Sequence, residues 1–565
     1  MMDIGGRLRR LRPLTALALV AALASCSVAE SRLADPQGAA PSAPPPAPSV
    51  SLPGLDRFSD ADLVGQVLMP YAYGSSATAV SAGSVAGNQR LAGVDTPAQM
   101  IARYRLGGLI LVGFSADDPT AASQPTSNVD SAPQVRELTR GLQAAAGQLP
   151  ARAPLLVGVD QEYGVVRRIE DKVTALPSAM AFGAAANPAL TRDAWRAAGV
   201  ELSALGVNMD FAPVADVLGD GPGGAIGSRS YGAEPAAVAQ QVGAAVQGLQ
   251  AAGVAAVVKH FPGHGHTVAD SHHRLPRLAQ TRAELARDDL PPFVAGLRAQ
   301  AWAVMSGHLD VRAVDPGVPA SFSSKVLNGL LREQLGFTGV VVTDALNMAP
   351  AQRWPAPEAA LRALLAGNDL LLMPDQLPAV HAALLAALGD GRLPRPRLVQ
   401  AVGRILELKR RLTGRPQPGM DVLGAVAHQR AVAALDRAAV TALRGPCGSP
   451  IRGPVTVTAA KGREAARDRL ITELRATGAT VTDSGGIVVH LVGYGDTAAD
   501  LRSDAHVTVA MDTPYVLASA RSPVLLATYS STPLAMAALA AVLVGRLRPT
   551  GRAPVQVGPL ARGVC

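Results

Sequence analysis

The densest group of chemically active side chains lies between residues 259 and 273. Five histidines, at positions 260, 264, 266, 272 and 273, fall within fourteen residues together with Asp270. Glycines and a proline interrupt the segment, which predicts a loop rather than a helix. Histidine exchanges protons near neutral pH, and a carboxylate two residues away can orient its ring and favour its protonated form. The spacing allows His272 to act as a proton donor with Asp270 as its partner, but a surface-loop histidine with an incidental aspartate neighbour fits it as well. His264-x-His266 leaves zinc binding as a further alternative.

Other polar residues stand where short apolar runs end. Asp160 follows one run, Lys259 and His260 end another, and Asp344 closes a third. A lysine at the end of an apolar strand must find partners, because an unpaired buried charge is costly. Asp344 is the only carboxylate at its strand end, so it can point rigidly at a reacting atom, although an aspartate there can also cap a helix. Charged groups at several strand ends predict one shared pocket.

The elements that position these residues are eight apolar runs separated by helix-length, alanine-rich stretches. The runs carry Val, Leu and Ile on successive residues, a pattern typical of parallel strands buried on both faces. Eight alternations of strand and helix over about 350 residues favour a closed (β/α)₈ TIM barrel over an open sheet. The runs are Gly65–Tyr71, Gly107–Gly113, Pro154–Asp160, Gly206–Phe211, Val254–His260, Trp302–Ser306, Gly339–Asp344 and Asp369–Met373.

Several motifs resemble glycoside hydrolase family 3, and specifically its N-acetyl-β-glucosaminidase branch. The resemblance covers roughly residues 55–415. It is carried by KHFPGHG at 259–265 with DSH at 270–272, VDQE at 159–162, FAPVADV at 211–217, GSRSYG at 227–232 and VVVTDALNM at 340–348.

The resemblance implies an exported retaining exo-β-N-acetylglucosaminidase that needs no cofactor and no metal. It implies Asp344 as the nucleophile and His272, aided by Asp270, as the acid/base in place of a second carboxylate. The residues implied to bind the sugar are Asp160, Arg168, Arg229, Lys259 and His260. Two departures from the family pattern, Tyr163 in place of a glycine and Val165 in place of an arginine, are expected to reshape the rim of the sugar subsite.

Four other functions fit parts of the same pattern. Within the enzyme class they are a β-glucosidase and a phosphorylase that releases N-acetylglucosamine to phosphate, since a histidine donor does not repel an incoming anion. A zinc hydrolase would use the histidine cluster but leaves Asp344, Asp160 and Arg229 unexplained. An inactive glycan-binding lipoprotein would have no need for the complete set of Asp344, Asp270 and His272.

The first 54 residues read as an export leader and a tether. Four arginines precede an apolar run from Leu14 to Leu23, which is too short to span a bilayer. The run ends in Leu-Ala-Ser-Cys26, which resembles the lipobox of bacterial lipoproteins, so residues 1–26 are predicted to be a lipoprotein signal peptide with Cys26 acylated. Residues 27–54 form a proline-rich linker. The expected location is the outer face of the bacterial cell membrane, with peptidoglycan fragments as substrate.

The chain of 565 residues is long enough for a barrel and a smaller domain. The barrel is predicted at 55–415 and a second α/β sandwich domain at 416–565, with a helix and loop to residue 450 and then a parallel sheet of four or five strands. Every residue assigned to the reaction precedes this second domain. Cys447 and Cys565 either pair or stay as free thiols. The net charge of +8 is scattered rather than clustered, which argues against a nucleic-acid partner.

Overall fold

The computed structural model describes residues 55, 58–113, 126–219, 221, 224–267 and 269–565. These residues form one compact unit. The predicted leader, the lipidation site Cys26 and the linker to residue 54 lie outside the described residues. Within the described ranges, no helix is both long and apolar enough to cross a membrane.

Eight short strands of the described chain form the predicted barrel, and each predicted apolar run overlaps one of them, the fifth strand ending one residue past its run, at Phe261. In chain order they are β1 Leu68–Met69, β2 Gly108–Leu111, β3 Leu156–Val159, β4 Met209–Asp210, β5 Ala255–Phe261, β7 Ala303–Ser306, β9 Val340–Thr343 and β10 Leu371–Leu372, while β6 Arg277–Leu278 and β8 Asp310–Val311 form a separate two-stranded sheet.

The parallel strands close into a ring. Six of them, from β2 to β9, pair side by side in the order β2-β3-β4-β5-β7-β9, and β1 pairs with β10. The N–H of Thr343 donates to the carbonyl of Leu370, which joins β9 to the segment of β10. The N–H of Ile110 donates to the carbonyl of Pro70, which joins β2 to the segment of β1. The predicted fold class, a TIM barrel followed by an α/β sandwich domain, is confirmed.

Helices connect the strands, and two of those in the barrel part begin with a serine or threonine cap followed by a proline in the first turn. At the start of α3, the Thr96 hydroxyl accepts from the N–H of Gln99, and Pro97 occupies the first turn, where its missing N–H costs nothing. The helices of the barrel part are α1 Asp60–Gln66, α2 Ala82–Ala92, α3 Pro97–Tyr104, α4 Ala132–Gly147, α5 Ala179–Ala185, α6 Pro188–Ala204, α7 Pro235–Ala251, α8 Arg282–Glu284, α9 Leu290–Arg298, α10 Ala356–Ala366, α11 Leu377–Gly389 and α12 Arg395–Leu412, with π-helical turns at Leu285–Asp289 and Lys325–Gln334.

A second sheet follows, with the order β11-β15-β14-β13-β12. Four of its strands are parallel, as predicted, but β11 runs antiparallel to β15 and lies in the segment predicted to be helix and loop. Cys447, just after β11, forms a disulfide with Cys565. The predicted boundary at 415/416 falls between α12 and α13 and stays a prediction. The elements are α13 Val426–Ala439, β11 Thr441–Arg444, β12 Val455–Ala459, α14 Glu464–Ala476, β13 Ile487–Val492, β14 Val507–Ala510, β15 Val524–Ala527 and α15 Pro533–Leu543.

The barrel and the second sheet share a hydrophobic cluster. Met180 from α5 and Ile226 from a barrel loop pack in it with Leu517 and Tyr529, which follow strands of the second sheet, and all four are buried. Two backbone hydrogen bonds also cross the junction, from the N–H of Ala233 to Pro554 and from the N–H of Arg552 to Ala184. Burying apolar surface on both sides fixes how the second sheet lies against the barrel loops.

Candidate active site

The carboxyl ends of the barrel strands surround a cavity of about 490 Å³. Converging parallel strands bring residues distant in sequence to this one face of the barrel. All eight residues nominated from the sequence for catalysis or sugar binding line the cavity: Asp160, Arg168, Arg229, Lys259, His260, Asp270, His272 and Asp344.

Asp344 follows β9 directly and is 9% exposed. Its Oδ1 accepts the N–H of Ala345 at 2.8 Å. The alternative role as a helix cap is wrong, because residues 346–350 form turns and bends and the next helical segment, Ala351–Arg353, begins only after Pro350. Asp344 lies on the cavity wall. Burial raises the pKa of Asp344, but the neighbouring His308, His260 and His272 and the Ala345 N–H outweigh it, and the net pKa lies below its ordinary value. The carboxylate is therefore ionised at neutral pH, as a nucleophile requires.

His272 and Asp270 form a hydrogen-bonded pair on the loop after β5. Nδ1 of His272 lies 2.7 Å from Oδ1 of Asp270, and the His272 N–H donates to the same oxygen at 2.9 Å. The hydrogen bonds from His272 hold the pKa of Asp270 well below its ordinary value despite burial. Because an ionised carboxylate only accepts, Nδ1 carries the hydrogen of this bond, and Nε2 is the nitrogen that can exchange a proton with a substrate.

A buried network of opposite charges lies across the cavity, with Glu162 at its centre. Glu162 accepts two hydrogen bonds from Arg229, at 2.7 and 2.9 Å, and pairs with Lys259 at 2.6 Å. Lys259 also donates to Asp160 at 2.8 Å. Burial raises the pKa of Glu162, but Arg229 and Lys259 reverse this and bring it to about 2. Burial lowers the pKa of Lys259, and Asp160 and Glu162 raise it above its ordinary value.

Arg168 borders the same network. Its Nη2 lies 4.0 Å from Oδ2 of Asp160. Burial, followed by the nearby charge of Arg229, lowers the pKa of Arg168 to about 10, so the guanidinium stays charged at neutral pH. This network thus presents three cations, Arg168, Arg229 and Lys259, against two carboxylates, a surface suited to a polar ligand with many hydroxyl groups.

Three buried residues that the sequence did not assign complete the site. They are Glu162, described above, together with Asp216 and His308. Asp216 accepts from Nδ1 of His260 at 2.7 Å and from the N–H of His260 at 3.1 Å, which turns Nε2 of His260 away from this carboxylate. His308 lies near Asp344, and its Nε2 donates to the carbonyl of Ala345 at 3.0 Å. Glu162, Asp216 and His308 all follow predicted strands, so their positions in the sequence indicated a place near the site. The sequence did not indicate which residues they contact.

The two histidines of the zinc alternative have separate partners. Nδ1 of His264 lies 2.6 Å from the Thr267 hydroxyl, whereas Nδ1 of His266 lies 2.8 Å from Oδ1 of Asp289. Burial lowers the pKa of His264 to about 4, so it is neutral. Among the described residues, no group of three or more His, Cys, Asp or Glu side chains is arranged to hold a metal ion.

The expected effect of Tyr163 and Val165 on the sugar rim is wrong. The loop after β3 alternates between two cavities: Asp160 and Glu162 face the barrel cavity, whereas Tyr163 and Val165 face a second cavity of about 250 Å³ between the barrel and the second sheet. Tyr163 has a left-handed backbone (φ 64°), and its ring contacts Trp195 at a centroid distance of 5.9 Å. Its side chain therefore packs away from the sugar site.

Comparison with known proteins places this fold and site in a family. A model of the glycosyl hydrolase family 3 N-terminal domain matches residues 65–408. The chain is 33% identical over 386 residues to a beta-hexosaminidase A of Pseudoalteromonas piscicida, covering 63% of this chain and 62% of that protein. It is 40% identical over 304 residues to a beta-hexosaminidase of Thioalkalivibrio sulfidiphilus, covering 52% and 81%.

A solved structure extends the match into the second sheet. A family 3 beta-N-acetylglucosaminidase from a Paenibacillus species superposes with a TM-score of 0.76 at 32% identity, covering 89% of this chain and 99% of that one. The chain belongs to glycosyl hydrolase family 3 and is a glycoside hydrolase similar to the beta-N-acetylhexosaminidases of that family.

Proposed function

We propose that this chain is a retaining exo-β-N-acetylglucosaminidase, with Asp344 as nucleophile and His272 as acid/base. The observation that carries the proposal is that Asp344 and the Asp270–His272 pair line the same cavity as the charged network around Glu162. A nucleophile, a proton donor and a polar sugar-binding wall are the three parts that glycoside hydrolysis with retention needs.

In the first step, Asp344 attacks the anomeric carbon. The Ala345 N–H holds Oδ1 at 2.8 Å, so Oδ2 is the oxygen assigned to the attack. The new bond joins Asp344 to the sugar, the bond to the leaving oxygen breaks, and Nε2 of His272 gives that oxygen its proton.

In the second step, water attacks the same carbon from the face that the leaving group vacated. Nε2 of His272 takes the proton from water, and the bond between Asp344 and the sugar breaks. Asp270 stays ionised throughout, because the hydrogen bonds from His272 depress its pKa. It holds the imidazole by Nδ1 in both protonation states and stabilises the positive charge that the ring carries before each proton donation.

The sugar-binding role falls to Asp160, Arg168, Arg229, Lys259 and His260. Each of these side chains already has a polar partner: Asp160 pairs with Lys259 and lies near Arg168, Arg229 pairs with Glu162, and His260 is hydrogen-bonded to Asp216. A sugar hydroxyl or acetamido group would therefore join hydrogen bonds that already hold each side chain in place. Donors and acceptors that are already ordered favour binding of the sugar, because no free energy is lost in ordering their side chains when it binds. The two relatives named beta-hexosaminidase and the Paenibacillus structure support N-acetylhexosamine as the sugar.

The natural substrate proposed is a peptidoglycan fragment with a terminal β-linked N-acetylglucosamine. The support for this substrate is the sequence of the leader, which predicts export and a lipid anchor at Cys26 on the outer face of the cell membrane. An enzyme tethered there meets cell-wall glycans first.

A panel of p-nitrophenyl glycosides tests the activity, each run with and without phosphate and EDTA. We expect release from the N-acetyl-β-glucosaminide well above that from the β-glucoside, with no change on adding either reagent. Preference for the β-glucoside would overturn the proposed sugar, and dependence on phosphate would indicate phosphorolysis. Loss of activity in EDTA would favour a metal hydrolase.

A second experiment tests the covalent step. An activated aryl substrate needs little protonation of its leaving group, so His272→Ala should complete the first step and stall at the second. Intact-protein mass spectrometry of that variant is expected to show one added N-acetylglucosaminyl unit, and Asp344→Asn is expected to show none. Equal masses with and without substrate, in a variant that still releases nitrophenol in a burst, would contradict the covalent intermediate.

A further inference from the structure

Arg229 sits in a short 3₁₀ turn, Gly227–Arg229, between two serines that are both anchored. The hydroxyl of Ser230 donates to the carbonyl of Asp216 at 2.6 Å, which ties one side of Arg229 to the barrel. The hydroxyl of Ser228 donates to Oδ1 of Asp512, which ties the other side to the second sheet. Both hydroxyls are buried, so each hydrogen bond is costly to lose.

Asp512 follows β14 at the carboxyl edge of the second sheet and is 8% exposed. The next residue also lies against the turn: a Cβ built on Gly227 would be 3.6 Å from the Thr513 side chain. Gly227 itself has a left-handed backbone (φ 53°), which lets the chain reverse there. The second sheet therefore contacts the turn at consecutive residues, Asp512 and Thr513.

We propose that Asp512 is a positioning residue for Arg229 and acts on it through Ser228. This inference rests on the proposed function, in which Arg229 binds the sugar. Arg229 meets Glu162 through two parallel hydrogen bonds, a planar geometry that a small rotation of the turn disrupts. The second sheet, which supplies no group to the proposed chemistry, thus sets the orientation of one sugar-binding side chain.

The junction offers a matched control. The hydroxyl of Ser178 donates to the carbonyl of Tyr529 at 2.7 Å, so it also joins a barrel loop to the second sheet and is also buried. Ser178 lines the second cavity and not the barrel cavity. Ser178→Ala and Ser228→Ala therefore remove the same chemical group from the same junction, but only Ser228 is next to Arg229 in the chain.

The test measures kcat and KM of the full chain on an aryl N-acetyl-β-glucosaminide, with melting temperature as a check on folding. We expect Ser228→Ala and Asp512→Ala to raise KM about tenfold, with kcat within about threefold, because sugar binding is weakened before the chemistry. Ser178→Ala is expected to keep KM within about twofold at a similar melting temperature. Ser228→Thr keeps the hydroxyl donor and Asp512→Asn keeps an acceptor oxygen, so we expect both variants to have a KM close to that of the wild type.

A double-mutant cycle separates positioning from general loosening of the junction. If Asp512 acts through Arg229, Asp512→Ala adds little to the KM of Arg229→Ala. Full additivity, or an equal rise of KM in Ser178→Ala, would overturn the inference, and so would wild-type KM in Ser228→Ala. Failure of the proposed function would look different, because the wild-type chain itself would then not cleave the N-acetyl-β-glucosaminide.

Discussion

Replacing Glu162 with glutamine tests the charge network most directly. The substitution keeps size and one acceptor oxygen but removes the negative charge between Arg229 and Lys259. The pKa of Glu162 is about 2 in the folded chain against an ordinary value of 4.5, a gap that corresponds to about 3 kcal/mol of folding free energy at pH 7. Breaking a buried ion pair by removing one partner costs a similar amount, about 3–5 kcal/mol.

The sign of the pH dependence follows from the depressed pKa. The stabilisation by the Glu162 carboxylate is complete above 4.5, the unfolded value, and is lost as the pH falls towards about 2, the folded value. We therefore expect the difference in free energy of unfolding between wild type and Glu162→Gln to be about 3 kcal/mol at pH 7 and about 2 kcal/mol at pH 3.5. Denaturant unfolding followed by circular dichroism at the two pH values measures it.

A surface carboxylate provides the control. Glu137 pairs with Arg140 on an exposed face of α4, where water screens the ion pair. Glu137→Gln should leave the unfolding midpoint unchanged at both pH values. A Glu162→Gln protein as stable as wild type at pH 7 would refute the reasoning, as would a stability difference that grows on acidification. KM for the aryl glycoside should rise with the loss of stability, since Arg229 and Lys259 lose their common anchor.

Three further predictions concern the reaction and the location. Asp344→Asn should lower kcat by several orders of magnitude in a folded protein, because the covalent step has no substitute, and near-normal turnover would refute the assignment. His272→Ala should impair substrates with poor leaving groups far more than activated aryl substrates, and an equal loss across leaving groups would indicate a structural role. Cys26→Ser should shift the protein from the membrane fraction to the soluble or unprocessed pool, and unchanged fractionation would rule out the lipid anchor.

The barrel was predictable from sequence because its physical signature is local. Strands buried on both faces are continuously apolar, and each of the eight runs overlapped one. Strand β11 was not predictable, since its four residues pair antiparallel with β15, more than eighty residues later, and the glycine- and proline-rich segment after it reads as a loop. Pairing between distant segments leaves no mark on the spacing of either one.

The sequence was sufficient to predict where the residues of the site lie, but not which side chains pair with one another. All eight residues that were predicted from strand ends and from the resemblance of the motifs line one cavity. Glu162 and Asp216 were visible at strand ends, but which side chain each one holds depends on distances across the barrel. Tyr163 was misplaced for a related reason: neighbouring residues of the β3 loop face opposite cavities, and sequence adjacency does not show which side a side chain takes.

The side chains of the loop after β3 face two different cavities. The junction with the second sheet and the wall of the barrel cavity can therefore be varied separately in protein engineering. Positions such as Tyr163 and Val165 can be varied to strengthen or loosen the junction with the second sheet, while Asp160 and Glu162 stay unchanged in the wall of the barrel cavity. Libraries confined to the junction side should therefore yield thermostable variants with unchanged glycoside selectivity. Libraries on the cavity side should change selectivity, and they would remove the charges that balance one another around Lys259.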